Sequence, residues 1–163
     1  MEKDSLPQRK RIRLREYDYS DNGVYFITVC TKERQKILSH VDVGATIGRP
    51  PKVVLTDCGR IVEEMIQEIP HRYPMIAVDN YVIMPNHVHL LLFVYRTSGR
   101  PMVAPTISRV INQFKGAVSK RAGKSIWQTS FYDHIIRSEN DYRSVWEYID
   151  MNPARWTEDE YYN

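Results

Sequence analysis

The segment YVIMPNHVHLLLF places two histidines, His87 and His89, on either side of one apolar residue, Val88. On a strand, residues two apart project from the same face, so the two imidazoles are neighbours. Two neutral imidazoles aimed the same way form a chelating pair for a divalent cation. Alone, the pattern reads better as two polar residues on the exposed face of a strand. A second segment, SVWEYIDMNPARW, changes that weighing. Tyr148 and Asn152 are four residues apart and share one helix face, with Cβ atoms roughly 5–6 Å from each other. If that helix lies over the histidine strand, Asn152 supplies a third, oxygen ligand and Tyr148 approaches the metal's open positions. Imidazole mixed with hard oxygen ligands suits Mg²⁺ or Mn²⁺ better than a closed structural zinc site.

A tyrosine phenol titrates near 10 and is a poor nucleophile at neutral pH. It becomes effective against a phosphodiester polarised by a metal. Attack by Tyr148 on phosphorus would give a covalent phosphotyrosyl ester and release a 3′-hydroxyl. Because that ester conserves the free energy of the phosphodiester, a second hydroxyl can reverse the step and join strands without ATP. Among the other phenols, Tyr142 has Trp146 one turn later and so lacks a ligand there. The neighbours read more blandly. Glu147 points roughly 100° away from Tyr148 on the helix, as a solvated carboxylate does. Asn86 closes a Pro85-Asn86 turn. His134 partners Asp133 or sits in the core. Trp127, Phe131 and Tyr132 fill the core or, alternatively, stack on unpaired bases.

The elements that must position these residues fit one domain of 163 residues. Hydrophobic residues at 42% and charged residues at 26% exclude a wholly disordered or fibrous chain. The longest apolar run, 88–94 with His89 counted in it, is far short of a membrane span, so no transmembrane helix and no membrane partner are expected. The N-terminus carries Lys and Arg with no apolar stretch behind them, which is not a secretory signal. Cys30 and Cys58 cannot build a disulfide framework and match no zinc knuckle. A cytoplasmic location is the natural expectation.

After the turn signal Asp21-Asn22-Gly23, residues 24–31 predict a strand. Gly and Pro punctuate 33–53, which reads as a loop. Thr56 or Asp57 caps a helix to about Ile69, with Ile61, Val62, Met65, Ile66 and Ile69 on its apolar side. Residues 75–84 and 87–94 form a hairpin around Pro85-Asn86. Thr106 caps a helix to about Ala122, FYDHII is a short strand, and a last helix runs from about Glu139 to Met151, stopping before Pro153. This order predicts an α+β fold: a ferredoxin-like antiparallel sheet with helices on one face, over 23–163, behind a basic arm at 1–22.

The net charge is only +3, but it is unevenly spread. Arg9, Lys10, Arg11, Arg13 and Arg15 open the chain, Lys115, Lys120, Arg121 and Lys124 form a second basic stretch, and Glu158, Asp159 and Glu160 make an acidic tail. Arg9, Lys10, Arg11, Arg13 and Arg15, and likewise Lys115, Lys120 and Arg121, are the kind of clusters that meet phosphate backbones, such as a DNA stem or strand, while for each cluster alone a solvated charged face is at least as good a reading. For Lys120 and Arg121 the alternative, cations decorating a helix C-terminus, is equally good. The tripeptide GRP at 48 and 99 is too short to be a repeat.

Together, YVIMPNHVHLLL and IWQTSFYDHIIRSENDYRSVWEYIDMNPARW resemble the REP-associated tyrosine transposases, within the single-tyrosine HUH transposases. The similarity extends through KRIRLREYDYSDNGVYFITVCT and LTDCGRIVEEMIQEIP, covering most of the chain except the two GRP loops. The resemblance implies His87, His89 and Asn152 as ligands of Mg²⁺ or Mn²⁺, and Tyr148 as the nucleophile of a single-stranded DNA nuclease and strand transferase. It implies a 5′-phosphotyrosine intermediate and a DNA partner with a hairpin near the cleavage point. The alternatives are a domesticated hairpin-binding protein and a replication-initiator or relaxase-type HUH nuclease. Monomer and homodimer both remain open.

Overall fold

Residues 23–42, 48–95 and 107–162 are described by the computed structural model. The basic arm 1–22, with Arg9, Lys10, Arg11, Arg13 and Arg15, lies outside them, as do Thr106 and the second GRP tripeptide. The β-branched and aromatic run Gly23–Cys30 forms β1, and a short hairpin follows from Ser39–Asp42 (β2) and Lys52–Leu55 (β3). Helix α1 spans Asp57–Arg72, and β4 (Ile76–Ile83) and β5 (His87–Val94) form the expected hairpin. Helix α2 (Ile107–Ala122), β6 (Tyr132–Ile136) and α3 (Glu139–Met151) complete the order.

The main sheet is antiparallel throughout, in the order β4-β5-β1-β6. Strand β5 lies between β4 and β1, and β1 between β5 and β6, so the units β1-α1-β4 and β5-α2-β6 interlock as in a ferredoxin-like sheet. Alternation divides the sheet into two chemistries. Tyr25, Ile27 and Val29 of β1, with Val88, Leu90 and Leu92 of β5, join the core formed with Val62, Ile66 and Ile69 of α1 and Val110, Ile111, Phe114 and Val118 of α2. The intervening Phe26 and Leu91 pack instead against Val145 and Ile149 of α3.

The expectation that helices cover one face is therefore corrected. Helices α1 and α2 lie on one face and α3 on the other, because Val145 and Ile149 need apolar partners that only the alternate residues supply. The three consecutive leucines Leu90, Leu91 and Leu92 are all fully buried, as a strand covered on both sides requires.

The expected loop at 33–53 is corrected too, since it contains β2 and the start of β3. Four-residue strands give too few alternations to stand out, and here Gly48, Pro50 and Pro51 mark the connection between them. The hairpin is anchored by Ser39 Oγ, which donates to the Ile83 carbonyl at 2.9 Å. Helix α1 begins at a Thr56 cap, whose hydroxyl accepts from the Gly59 amide at 3.0 Å and donates to the Ile37 carbonyl at 2.6 Å. Gly59 permits this close docking, because a Cβ there would sit 2.0 Å from the Leu38 carbonyl oxygen.

Candidate metal centre and nucleophile

Strand β5 starts at His87, directly after the turn in which the Met84 amide bonds the His87 carbonyl at 2.9 Å. Alternation sends Val88 into the α1/α2 core and aims both histidines at the α3 face, with ring centroids 4.5 Å apart. His87 and His89 are 0% and 1% exposed. Each has its Nδ1 engaged. His87 Nδ1 lies 2.8 Å from Asn86 Oδ1, while Asn86 Nδ2 donates to the Tyr161 carbonyl at 2.5 Å. A carboxamide oxygen only accepts, so His87 Nδ1 carries the proton and Nε2 presents its lone pair. His89 Nδ1 lies 2.8 Å from Thr28 Oγ1, on the residue facing it across the β1/β5 pair.

Helix α3 supplies the other side. Ser138 caps it, accepting from the Asp141 amide at 3.1 Å, and Asn152 ends it with helical dihedrals despite preceding Pro153. The four-residue spacing from Tyr148 thus stays on one helical face. The Tyr148 ring lies 5.2 Å from the His89 ring and 6.0 Å from Phe26, edge-on to both. Asn152 is 1% exposed and close enough to His87 and Tyr148 to favour the charged form of each. The structure thus brings His87, His89, Tyr148 and Asn152 to one place.

Three atoms at this place are buried without a hydrogen-bond partner: Nε2 of His87, Nε2 of His89 and Oδ1 of Asn152. A buried, unsatisfied polar atom costs about 1–3 kcal/mol. Three converging lone pairs with no donor fit a cation, which satisfies all of them at once. Burial pushes His87 down to about 3 and His89 well below its ordinary range, so both imidazoles are neutral and ready to ligate.

The residues after α3, absent from the expected site, close over it. Trp156 and Tyr161 pack on His87, with ring centroids 5.9 Å and 4.5 Å away. Asp159 Oδ2 accepts from Asn152 Nδ2 and Oδ1 from the Tyr161 amide, both at 2.8 Å. One ligand atom each from His87, His89 and Asp159 lie within 4.8 Å of one another. Arg34 donates to the Glu160 carbonyl at 3.0 Å and holds its guanidinium 5.5 Å from the Tyr161 ring centre, while Lys36 Nζ lies 4.3 Å from that of Tyr162.

A cleft of about 10 Å³, lined by Thr28, His89, Tyr132, Tyr148, Glu160 and Tyr161 among others, opens beside the histidines. Burial, then the charges of Asp159 and Glu160, push the Tyr148 phenol well above 10. Burial also raises the Asp159 and Glu160 carboxyls. In sequence these acids read only as a charged tail. The available signal was the run of three acids flanked by aromatics in WTEDEYY, which a solvated tail does not need.

The remaining candidates fall elsewhere. Lys115 is 9% exposed and its Nζ donates to the carbonyls of Gln128 and Thr129 at 2.6 and 3.0 Å. Lys115 thus ties the chain after α2 to the helix, its long apolar stem reaching there. Lys120 and Arg121 are exposed at the C-terminal end of α2, on the opposite side of the sheet from the histidines, and Arg121 pairs with Glu64 of α1 at 2.6 Å. His134 bonds Asp141 at 2.8 Å, correcting the expected Asp133 partner. Glu147 is exposed, and Trp127 and Phe131 belong to the main core. Asn86 does close its turn, but it also fixes His87.

No family profile matches the chain. It is 32% identical over 177 residues to a Haemophilus influenzae protein described as uncharacterized, covering 96% of this chain and 94% of that one. It is 25% identical to the REP-associated tyrosine transposase of Escherichia coli, over 84% of this chain and 70% of the other. A putative REP-associated tyrosine transposase of Haemophilus influenzae matches at 23%, over 85% and 74%. Among solved structures, a REP-associated tyrosine transposase bound to a REP hairpin shares the fold, with a TM-score of 0.64 at 22% identity over 89% of this chain and 74% of that one. Among the described residues, no helix is long and apolar enough to cross a membrane. With its antiparallel sheet and its paired histidines, the chain is similar in sequence to two proteins named as REP-associated tyrosine transposases and shares the fold of one solved with a REP hairpin.

Proposed function

We propose that this chain is a metal-dependent single-stranded DNA nuclease and strand transferase that acts through Tyr148 on DNA flanked by a hairpin. The observation that carries the reading is the convergence of three buried, unpartnered atoms, His87 Nε2, His89 Nε2 and Asn152 Oδ1, beside the Tyr148 ring. A neutral binding module gains nothing from orphaned lone pairs next to a phenol. The relative solved with a REP hairpin supports DNA of that kind as substrate.

His87, His89 and Asn152 hold the cation, and Mg²⁺ or Mn²⁺ suits this set of two imidazoles and a hard oxygen. When bound, the cation supplies Lewis-acid polarisation of the phosphate and draws down the raised phenol pKa. Asn86 and Thr28 fix the two imidazole rings through Nδ1. Helix α3, seated by Val145 and Ile149, holds Tyr148 against His89. The Tyr148 hydroxyl gives its proton to water in the cleft, its oxygen attacks phosphorus, the bond to the 3′-oxygen breaks, and the departing oxygen takes up a proton from water. The phosphate stays on Tyr148 as a 5′-phosphotyrosine ester. A 3′-hydroxyl of another strand reverses the step, completing strand transfer.

The test is incubation with a labelled hairpin-flanked single strand and Mn²⁺, followed by denaturing electrophoresis. A covalent adduct that vanishes in Tyr148→Phe is expected. An undiminished adduct in that variant would overturn the nucleophile assignment. Unchanged Mn²⁺ affinity in His87→Ala/His89→Ala would remove the histidines from the ligand set.

A further inference from the structure

We propose that Asp159, in the segment beyond α3, is a fourth ligand of the cation, so that the metal is chelated across three elements and ties the C-terminal segment to the sheet. The inference rests on the metal reading above and goes beyond it, because the helix spacing that nominates Asn152 says nothing of a residue seven positions later.

Four observations carry it. Ligand atoms of Asp159, His87 and His89 lie within 4.8 Å of one another, a few tenths of an ångström beyond the roughly 4.2–4.4 Å that two ligands on opposite sides of one ion at about 2.1–2.2 Å can span, so a small side-chain adjustment brings all three onto one ion. The neighbouring lone pairs on His87 Nε2, His89 Nε2 and Asn152 Oδ1 are buried and lack a donor, and the Arg34 charge that acts on Asp159 donates to none of these three atoms. Asp159 is also oriented from two sides, by the Asn152 carboxamide and the Tyr161 amide at 2.8 Å each. The donation from Asn152 Nδ2 turns Asn152 Oδ1 away from Asp159, leaving that oxygen free for the ion.

The charge arithmetic is favourable. Two neutral imidazoles, one carboxamide and one carboxylate leave a divalent cation with a net charge of +1, still attractive to a phosphodiester. A ligand set with two carboxylates would cancel it. Because Asp159 is followed directly by Glu160 and Tyr161, metal occupancy fixes two residues that line the cleft beside Tyr148.

The test uses the full chain, freed of metal with a chelator, and Mn²⁺ as probe. Calorimetry compares the unaltered chain with Asp159→Asn, Asp159→Glu and Glu160→Gln, and proteolysis with and without Mn²⁺ reads the C-terminal segment. The expected result is at least tenfold weaker Mn²⁺ binding in Asp159→Asn, partial recovery in Asp159→Glu, and little change in Glu160→Gln. Mn²⁺ should also protect the segment from cleavage in the unaltered chain and fail to do so in Asp159→Asn. If Asp159→Asn does not fold, Asp159→Glu carries the test through its affinity and protection. Unchanged affinity in Asp159→Asn, with binding lost in His87→Ala/His89→Ala, would overturn this inference and leave the metal site standing. Unchanged affinity in all of them would overturn both.

Discussion

The histidine pair should make the metal-free protein sensitive to mild acid. His87 is 0% exposed, and burial lowers it from 6.5 to about 3. Between those two values the unfolded chain binds a proton that the native chain refuses, so stability rises with pH in this window and falls as acid is added. At about 1.4 kcal/mol per pH unit, His87 alone removes roughly 2 kcal/mol between pH 7 and pH 5, a large share of a typical domain's stability. His89 is lowered by burial and then by His87, and acts with the same sign. The Asp159 and Glu160 carboxyls are raised by burial and act with the opposite sign, gaining native-state protons as pH falls. The comparison must therefore be between variants and not of the protein with itself. Urea unfolding with a chelator present, at pH 7.5, 6 and 5, should show a shallower pH slope in His87→Asn than in the unaltered chain, by about 2 kcal/mol over that interval. Reading the slope separates proton linkage from the packing lost with the ring. Parallel slopes would refute the argument that His87 is held neutral by burial.

Three further outcomes follow from particular contacts. Asn86→Ala removes the acceptor that fixes His87 and should weaken Mn²⁺ binding about 10- to 100-fold by calorimetry, whereas a residue that only closes a turn would leave affinity unchanged. Ile149→Ala empties a site that is 1% exposed and should cost about 2–5 kcal/mol in urea unfolding, with a lower yield of covalent adduct because α3 seats Tyr148. Lys115→Met leaves the Gln128 and Thr129 carbonyls without their donor, for a loss of about 1–3 kcal/mol, with no change in the salt dependence of DNA binding. A drop of about 1 in that salt slope would return Lys115 to the DNA interface.

Most of the sheet was legible because its strands are long enough to declare a period. Gly23–Cys30 and His87–Val94 each offer eight residues, and the alternation that placed Val88 in the core placed His87 and His89 together. The helix from Glu139 to Met151 was legible from Pro153 at its end, and its spacing joined Tyr148 to Asn152, while the Ser138 cap at its start emerges only in the structure. What α3 packs against was not, since an apolar pair such as Val145 and Ile149 does not say which face of a sheet it covers. The Leu90-Leu91-Leu92 run held that information. Asp159 and Tyr161 escaped because their roles come from the chain folding back over β5, a contact between residues more than seventy positions apart. The Lys115 tie was hidden for a related reason: a basic side chain on a helix looks alike from sequence whether it meets a phosphate or two backbone carbonyls.

The strict alternation along β5 has a consequence for how this protein tolerates change. Neighbouring positions on one strand answer to different requirements: Val88, Leu90 and Leu92 to folding and, under the proposed function, His87 and His89 to chemistry. A saturation scan of 87–92 should therefore yield two kinds of damaged clone in alternation, scarce protein at even positions and abundant but inert protein at 87 and 89. Under the proposed function, activity could then be silenced without lowering the amount of protein made, leaving a DNA-binding protein that no longer cuts after a single substitution.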